Sequence, residues 1–463
     1  MIAVKKYVVP VIAIAFFLAG CAPALDPLPV GVAVSLPVEW RTQIADAGRA
    51  DELWWQSFGD PMLAQLVEQA RTNNPDVNVA AARVAEARAT EQISRAFLLP
   101  SIGAGVDAGV RREVSPFGRS QESVAAMPVF QAAYEVDLFG KNSARVETAE
   151  ASFAAAKAAE EAARLSVTAA TANGYVTLLA LDARFAVLNQ TLTSRGEALK
   201  FARDRAEVGY TSQLELRQSQ AEYEATAQQV PQVEGQIARQ ENALSILIGI
   251  PPAAITRGGS LAALSQPAVP NILPSDLLRR RPDVAAAEYR IAAANAQMRF
   301  ARAQFMPSVN LGAKAGLALS DLLANPVTIW SIGDSILAPI FQGGRLQGQL
   351  DAATAQRDQA AWAYRTTALN AFREVEDRLA GLKKLDEQQV SLLAQHAAVS
   401  DVLRHTRNRY RAGYISYIEQ LDAQRALLTV ELALVQLRAD RLTTLVSLYQ
   451  AIGGPPADDL ARP

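Results

Sequence analysis

The sequence contains very few of the residues that form disulfides and metal centres. Its 463 residues include one cysteine, Cys21, and two histidines, His396 and His405. A single cysteine excludes an internal disulfide, and these three residues are too few for a cysteine-based zinc cluster. The sequence also shows no nucleophile motif, phosphate-binding loop or metal-ligand spacing. It therefore predicts a protein that is not an enzyme and needs no cofactor or metal.

The sequence also lacks an excess of charge of either sign and contains few aromatic residues. Its 45 Lys and Arg are matched by 47 Asp and Glu, so no overall field attracts nucleic acid, and no nucleic-acid partner is expected. Aromatic residues make up 6% of the chain, whereas 50% of it is hydrophobic, mostly Ala, Leu and Val. This mixture is typical of long helices.

The N-terminal apolar run, residues 7–19, is too short to cross a bilayer comfortably. It follows two lysines and leads into Leu18-Ala19-Gly20-Cys21, the pattern of a bacterial lipobox. We predict that residues 1–20 are a lipoprotein signal peptide and that Cys21 is acylated; a signal peptide with an incidental cysteine is the alternative. Ala22 after the cysteine implies sorting to the outer membrane, where several acyl chains make a stable anchor.

The chain is internally duplicated. Asn74-Pro75-Asp76-Val77 recurs as Arg281-Pro282-Asp283-Val284, displaced by 207 positions (282 − 75). Gly209-Tyr210 recurs as Gly413-Tyr414, displaced by 204 (413 − 209), so a loop between the two motifs differs in length. We predict a first repeat at 61–252 and a second at 270–456, with a lipid anchor and N-terminal strap at 21–60 and a tail at 457–463.

Each repeat is predicted to contain a helix, two strands, a long helix, a tight break and a return helix. In the first copy these elements span residues 61–96, about 100–113, about 124–138, 141–208 and 212–248, the last with a kink at Pro231. In the second copy they span residues 275–304, about 307–320, about 327–341, 345–412 and 416–452.

The predicted strands alternate apolar and polar residues. From Ser308 to Ser320 the odd positions are apolar, and the even positions include Asn310, Gly312 and Lys314. Period two with glycine on the polar face is the signature of a transmembrane barrel strand, although an ordinary half-buried sheet shows it as well. Four strands cannot close a barrel, because lipid does not tolerate an open sheet edge. A membrane barrel therefore requires several copies of the chain.

The predicted long helices contain no proline and would each extend for roughly 100 Å at 1.5 Å per residue. Leucines such as Leu382, Leu385 and Leu392 follow the spacing of a coiled-coil seam. The second return helix has two apolar stripes, which indicate a neighbour on each side, as in a closed ring of helices.

Several motifs occur together along the chain. They are the lipobox at Cys21, Trp54-Trp55 with Phe58-Gly59-Asp60-Pro61, the paired Asn-Pro-Asp-Val and Arg-Pro-Asp-Val motifs, Pro339-Ile340-Phe341-Gln342-Gly343-Gly344-Arg345, the Gly-Tyr helix breaks and the final Gly-Gly-Pro-Pro. In combination they resemble the NodT subfamily of the TolC-like outer membrane factors, lipoproteins of efflux systems, over essentially the whole mature chain.

The resemblance implies a mainly α fold with a membrane β-barrel. Three chains of a homotrimer would form a 12-stranded barrel in outer-membrane lipid, continued by a long periplasmic α-helical coiled-coil barrel. The implied partners are a periplasmic adaptor protein and an inner-membrane pump of the resistance-nodulation-division (RND) class.

The resemblance also points to two sets of candidate functional residues. The helix breaks are expected at the periplasmic tip, where related channels dock the adaptor: Gly209, Tyr210, Thr211, Gly413, Tyr414 and Ile415. Past the second break, Ile418 and Asp422 correspond to a hydrophobic and an acidic ring that close the periplasmic entrance, and their spacing of four places both on one helix face. Turn chemistry alone, and a seam isoleucine beside a solvated aspartate, are the alternatives.

The predicted function is the outer-membrane exit channel of a tripartite efflux system, which passively conducts drugs or other small toxic compounds. An outer-membrane channel of a type I protein secretion system would share this fold and is one alternative. A periplasmic coiled-coil scaffold lipoprotein is a second alternative, and it would require the alternating segments to be ordinary sheet.

Overall fold

Helices and strands follow the same order in both halves of the chain. A computed structural model describes residues 29, 31–35, 37–42, 47–48, 53–114, 117–270 and 273–453. The predicted signal peptide, the lipidation site Cys21 and the predicted tail lie outside the described residues.

The elements of the two repeats correspond one to one except in the first return helix. The first half contains β1 (Ala47–Gly48), α1 (Pro61–Asn73), α2 (Pro75–Ala96), β2 (Ser101–Val114), β3 (Ser120–Val136), α3 (Lys141–Glu207), α4 (Gln213–Ala227) and α5 (Gln229–Leu247). The second half contains β4 (Val269–Pro270), α6 (Pro274–Arg280), α7 (Pro282–Ala303), β5 (Ser308–Ser320), β6 (Val327–Leu337), α8 (Arg345–Arg411) and α9 (Tyr417–Ile452). The short strands β1 and β4 pair in parallel.

The opening helix of each repeat is divided in two, which corrects the single helices predicted at 61–96 and 275–304. Asn74 (φ −62°, ψ 131°) and Arg281 (φ −84°, ψ 118°) leave the helical region between the two pieces. A proline follows each of them, and its ring disfavours helical backbone in the preceding residue. Asn74 also caps the second piece, because its side-chain oxygen accepts a hydrogen bond from the Asp76 amide at 2.8 Å.

The four long strands form one antiparallel sheet in the order β2-β3-β5-β6, so the β3–β5 pairing joins the two repeats. Within the described part of the chain, the outer edges of β2 and β6 have no partner strand. Two boundaries differ from the prediction by four residues. β3 begins at Ser120 because its pairing with β2 extends to Val114, and β6 ends at Leu337 because Pro339 has no N–H for a ladder.

The cross-strand register sorts the sheet into two faces. One row runs across all four strands through Gly103, Gln131, Lys314 and Ser331. The neighbouring row, on the opposite face, consists of Ile102, Ala132, Ala313 and Ile332. In these two rows polar and apolar residues lie on opposite faces, as the alternation predicted, whereas Asp334, opposite Leu311 in the register, lies on the apolar face.

Each repeat contains one uninterrupted helix of 67 residues, α3 and α8. The return helices differ: α9 is continuous over 36 residues, whereas the first copy returns as α4 and α5, separated at Gln228. Pro231 explains the difference, because it has no N–H to donate to the carbonyl of Ala227, where α4 ends. The return helix predicted at 212–248 is therefore two helices.

The chain divides into two compact units. One contains the four-stranded sheet and includes Arg83–Lys157 and Ala286–Thr366, with Met298, Ala301, Leu350 and Ala353 packed together in its core. The other contains both helix breaks and includes the described residues of Ser35–Ala82 and Ala158–Ala285 and those from Thr367 to Gly453. None of the described helices contains an apolar stretch long enough to cross a bilayer.

Part of the predicted N-terminal strap lies along α8. The Thr42 hydroxyl donates to the Glu376 carboxylate at 2.9 Å, and the Arg41 amide donates to the same carboxylate at 3.1 Å. The Trp40 ring lies 6.2 Å from the Phe372 ring. These contacts hold this segment against the helix although it has no regular structure.

Candidate functional site

The first helix break is a glycine turn that ends α3. Gly209 has a φ of 78°, in the left-handed region that favours glycine. The Tyr210 amide donates to the Arg205 carbonyl at 2.8 Å, and the Gly209 amide donates to the Ala206 carbonyl at 3.2 Å. This pair of bonds is a Schellman motif, which satisfies the last carbonyls of the helix.

The second break repeats the first in detail. Gly413 has a φ of 79°, the Tyr414 amide donates to Arg409 at 2.9 Å, and the Gly413 amide donates to Tyr410 at 3.0 Å. The tyrosines Tyr210 and Tyr414 are each 78% exposed. Each break therefore presents one aromatic side chain to solvent.

The residues that follow the tyrosines face inward. The Thr211 hydroxyl donates to the Glu215 carboxylate at 2.5 Å, and Ile415 packs against the buried residues Tyr410 and Tyr417. Serines cap both return helices, as predicted: Ser212 accepts from the Glu215 amide at 3.3 Å, and the Ser416 amide donates to Glu419 at 3.4 Å. Of the six residues predicted at the tips, the two tyrosines form the exposed surface, and Thr211 and Ile415 support it.

A buried tyrosine joins the two hairpins that end in these breaks. Tyr410, near the end of α8, donates its hydroxyl hydrogen to Glu215 at the start of α4. Its ring also contacts Phe201 of α3 and Tyr417 of α9, with centroids 6.3 and 5.7 Å away. Burial raises the pKa of Tyr410, and the hydrogen bond to Glu215 raises it further. The sequence analysis did not identify this contact.

The predicted gate residues lie on one exposed face of α9. Ile418 is 46% exposed and the Asp422 side chain 68% exposed. Asp422 is not an isolated carboxylate, since one of its oxygens lies 3.5 Å from the Arg425 guanidinium. The structure therefore brings Ile418 and Asp422 to the same surface, as their spacing predicted, and adds Arg425 to them.

Behind Asp422 a chain of charges leads into the protein. The Arg425 Nε donates to the Glu222 carboxylate at 3.1 Å, and the Arg195 guanidinium lies 2.9 Å from the other oxygen of Glu222. Arg195 also donates to the Thr226 hydroxyl at 2.6 Å. The order Arg195, Glu222, Arg425, Asp422 connects α3, α4 and α9, and we call these four residues the charge relay.

Burial decreases along the charge relay from Arg195 at its inner end to Asp422 at its exposed end. Arg195 is 5% exposed, so burial lowers the pKa of its guanidinium while the Glu222 carboxylate opposes that shift. The hydrogen bond that Arg425 donates to Glu222 raises the pKa of Arg425. The inner pair is therefore firmly held, whereas the outer pair of Arg425 and Asp422 is solvated and easily separated.

Sequence reasoning did not identify Arg195 and its partners as a functional cluster. The duplication contains a signal that could have found it. Arg195 in the first copy occupies the position of the apolar Val399 in the second (399 − 204 = 195). A charged residue in a coiled-coil seam requires a partner, and its identity depends on packing that a sequence pattern does not specify.

Comparisons with known proteins agree with the duplicated architecture. The family model described as outer membrane efflux protein matches residues 66–250 and again residues 273–454. The toluene efflux pump outer membrane protein TtgC of Pseudomonas putida is 35% identical over 458 residues, which cover 95% of this chain and 94% of that protein. The pyoverdine export outer membrane protein OpmQ of Pseudomonas aeruginosa is 32% identical over 454 residues, 94% of each protein.

The fold is also that of a solved outer-membrane channel. The crystal structure of the open state of the MtrE channel of Neisseria gonorrhoeae superposes with a TM-score of 0.82 at 27% identity, covering 94% of this chain and 98% of that one. The resemblance to outer membrane factors is thus confirmed. The chain therefore belongs to the outer membrane efflux protein family and is located in the outer membrane.

Proposed function

We propose that the chain is the exit channel of a tripartite efflux system, conducting drugs or other small toxic compounds from an inner-membrane RND-type pump and a periplasmic adaptor to the exterior. The observation that carries this proposal is the match over nearly the whole chain to outer-membrane proteins of efflux pumps. No step of catalysis is assigned to the chain; it acts as a passive conduit, and the energy enters at the pump.

The channel is a homotrimer. Each chain contributes one four-stranded sheet with two unpaired outer edges among its described strands, and an open edge in lipid leaves backbone groups unsatisfied. Three copies joined through β2 and β6 give a closed 12-stranded barrel, with the apolar face toward lipid and the polar face toward the lumen. The long helices continue this barrel as a periplasmic coiled-coil barrel. Acylation of Cys21 anchors each chain in outer-membrane lipid.

The helix breaks dock the adaptor protein. Gly209 and Gly413 permit the sharp reversal, and the exposed rings of Tyr210 and Tyr414 offer apolar area with a hydroxyl at its edge. Thr211 and Ile415 hold the turns in shape from inside. The adaptor therefore meets two similar tyrosine-bearing surfaces in each chain.

Ile418 and Asp422 form the periplasmic gate. In a trimer, three copies of each face one axis, and three neighbouring carboxylates favour cations over anions. The charge relay holds α9 against the first hairpin through Arg425 and Glu222, which keeps the entrance narrow. Separation of the exposed outer pair allows α9 to move outward while the buried inner pair remains intact.

Single-channel conductance in planar bilayers tests the channel and its gate together. We expect a small, cation-favouring conductance from intact wild-type trimers, larger conductance from Ile418→Ala, and reduced cation selectivity from Asp422→Ala. Gln218→Ala is the matched control, because Gln218 occupies the position of Asp422 in the first copy (422 − 204). Intact trimers without pore activity would exclude the channel and favour a coiled-coil scaffold.

A further inference from the structure

A single lysine stands in the middle of the polar face of the sheet. Lys314 is the seventh of the 13 residues of β5 and is exposed. Its transverse row contains the uncharged residues Gly103, Gln131 and Ser331. The two flanking rows on the same face are also uncharged: Ser101, Ala133, Gly312 and Gly333 on one side, and Gly105, Val129, Gly316 and Ile329 on the other.

Three of the four other charged residues on this face of the sheet form ion pairs, and the fourth, Glu113, lies next to the end of β2. Asp107 pairs with Arg111 at 3.6 Å, and Glu135 pairs with Lys141 at 2.5 Å. No ion pair or hydrogen bond of the Lys314 ammonium group is found among the described residues. The central third of the polar face therefore carries one uncompensated positive charge.

Open space surrounds this charge. Lys314 borders a hollow of about 620 Å³ on the sheet, and a Cβ atom added at Gly103, Gly312 or Gly333 would meet nothing within 4 Å. A solute in the hollow can approach both the ammonium group and the backbone beside it. The opposite face carries Ile102, Phe130 and Ile332 beside this region, and its charged residue there is Asp334, which also lines the hollow.

We propose that Lys314 is a selectivity residue of the channel that attracts anionic solutes such as carboxylates and phosphates. The inference rests on the proposed function, in which the polar face lines the lumen of a trimer. Three Lys314 side chains then form a cationic ring halfway along the barrel. Because the barrel wall and the surrounding lipid have a low dielectric constant, they focus the field of such a ring into the lumen. The cationic ring complements the acidic ring of Asp422.

Block of the channel by citrate tests the ring. Full-length trimers are placed in planar bilayers in 0.1 M KCl, and citrate is added to the chamber that faces the strands. We expect citrate to interrupt the current of the wild type, and the half-blocking concentration to rise at least about tenfold in Lys314→Gln. Lys314→Arg should retain the block, and raising KCl to 1 M should weaken it in the wild type, because salt screens exposed charges.

Arg111→Gln is the matched control, since it removes a cation from the same face that already has the partner Asp107. We expect it to change the half-blocking concentration less than about twofold. Equal block of wild type and Lys314→Gln, or equal weakening by Arg111→Gln and Lys314→Gln, would overturn the proposal. Conducting trimers that ignore citrate would refute the ring alone, whereas trimers without conductance would refute the channel as well.

Discussion

In each repeat a side chain at the break in the opening helix donates a hydrogen bond to a backbone carbonyl near the end of the return helix, and we call this contact the joint of the repeat. The donor side chain differs between the two joints. In the first repeat the side-chain Nδ2 of Asn74 donates to the Leu247 carbonyl at 2.9 Å. In the second, the Arg281 guanidinium donates to the Ala451 carbonyl at 2.9 Å. The two carbonyls are equivalent in the duplication (451 − 247 = 204). The two copies therefore place a hydrogen-bond donor at the same position, but the donor is an amide in one copy and a guanidinium in the other.

The helix hairpins differ more than these joints do. The first hairpin encloses the polar cluster of Arg195, Glu222 and Thr226. At the positions 204 residues later the second hairpin has Val399, Ala426 and Val430. The backbone of the hairpin thus tolerates either an ionic or an apolar interior. At these positions only the first hairpin is charged, and that hairpin also contacts Arg425, the partner of Asp422.

Breaking the buried pair in the first hairpin should have the largest effect on stability. Glu222→Ala leaves Arg195 buried without a counter-charge, which should cost about 3–5 kcal/mol in free energy of unfolding, measured by urea titration in detergent. The double variant Arg195→Val with Glu222→Ala copies the interior of the second hairpin and should recover at least half of that loss. A double variant as unstable as Glu222→Ala would show that the two hairpins are not interchangeable.

Exchanging the side chain of the second joint should have an intermediate effect. Arg281→Asn copies the donor of the first repeat but leaves Asp283 and Glu374 without their partner, and we expect a loss of about 1–3 kcal/mol. Asn74→Ala removes a cap and one hydrogen bond and should cost about 1–2 kcal/mol. The same urea titration checks both. If Arg281→Asn cost nothing, the two joints would be chemically equivalent.

The smallest expected effect is a loss of folding stability at alkaline pH, caused by the ionisation of Tyr175. Tyr175 of α3, which corresponds to Leu379 in the second copy, donates to Asp60 at 3.0 Å and accepts from the Gly258 amide at 2.9 Å. Burial raises the pKa of Tyr175 to about 12 from its ordinary value of 10. A raised folded-state pKa means that this contribution to stability is fully present below pH 10 and is lost as the pH rises toward 12.

The measurement for Tyr175 is the melting temperature between neutral pH and pH 12. The wild type should lose stability across the alkaline range more steeply than Tyr175→Phe, which begins about 1 kcal/mol less stable at neutral pH because it lacks the buried hydrogen bonds. Tyr210→Phe, exposed at the first helix break, is the control and should follow the wild type. Parallel curves for wild type and Tyr175→Phe would contradict the assignment.

Much of the fold was predictable because it depends on local patterns. Period-two alternation located β5 and its faces, and the Gly-Tyr motifs located both helix breaks. The division of the opening helices at Asn74 and Arg281 was missed, although the proline after each residue contains the signal. The candidate gate was predictable only in part, since spacing placed Ile418 and Asp422 on one face but did not reveal Arg425 as the partner of Asp422.

By itself the sequence determined the kind and order of the elements, the duplication and the positions of the turns. These properties follow from hydrophobic period and from the backbone preferences of glycine and proline, which act over a few neighbouring residues. Only the tertiary structure decided which charges meet. Tyr410 and Glu215 lie 195 positions apart in the chain, and Arg425 and Glu222 lie 203 apart. Such pairs form because packing brings distant helices together, and a buried charge is stable only where that packing also supplies its counter-charge.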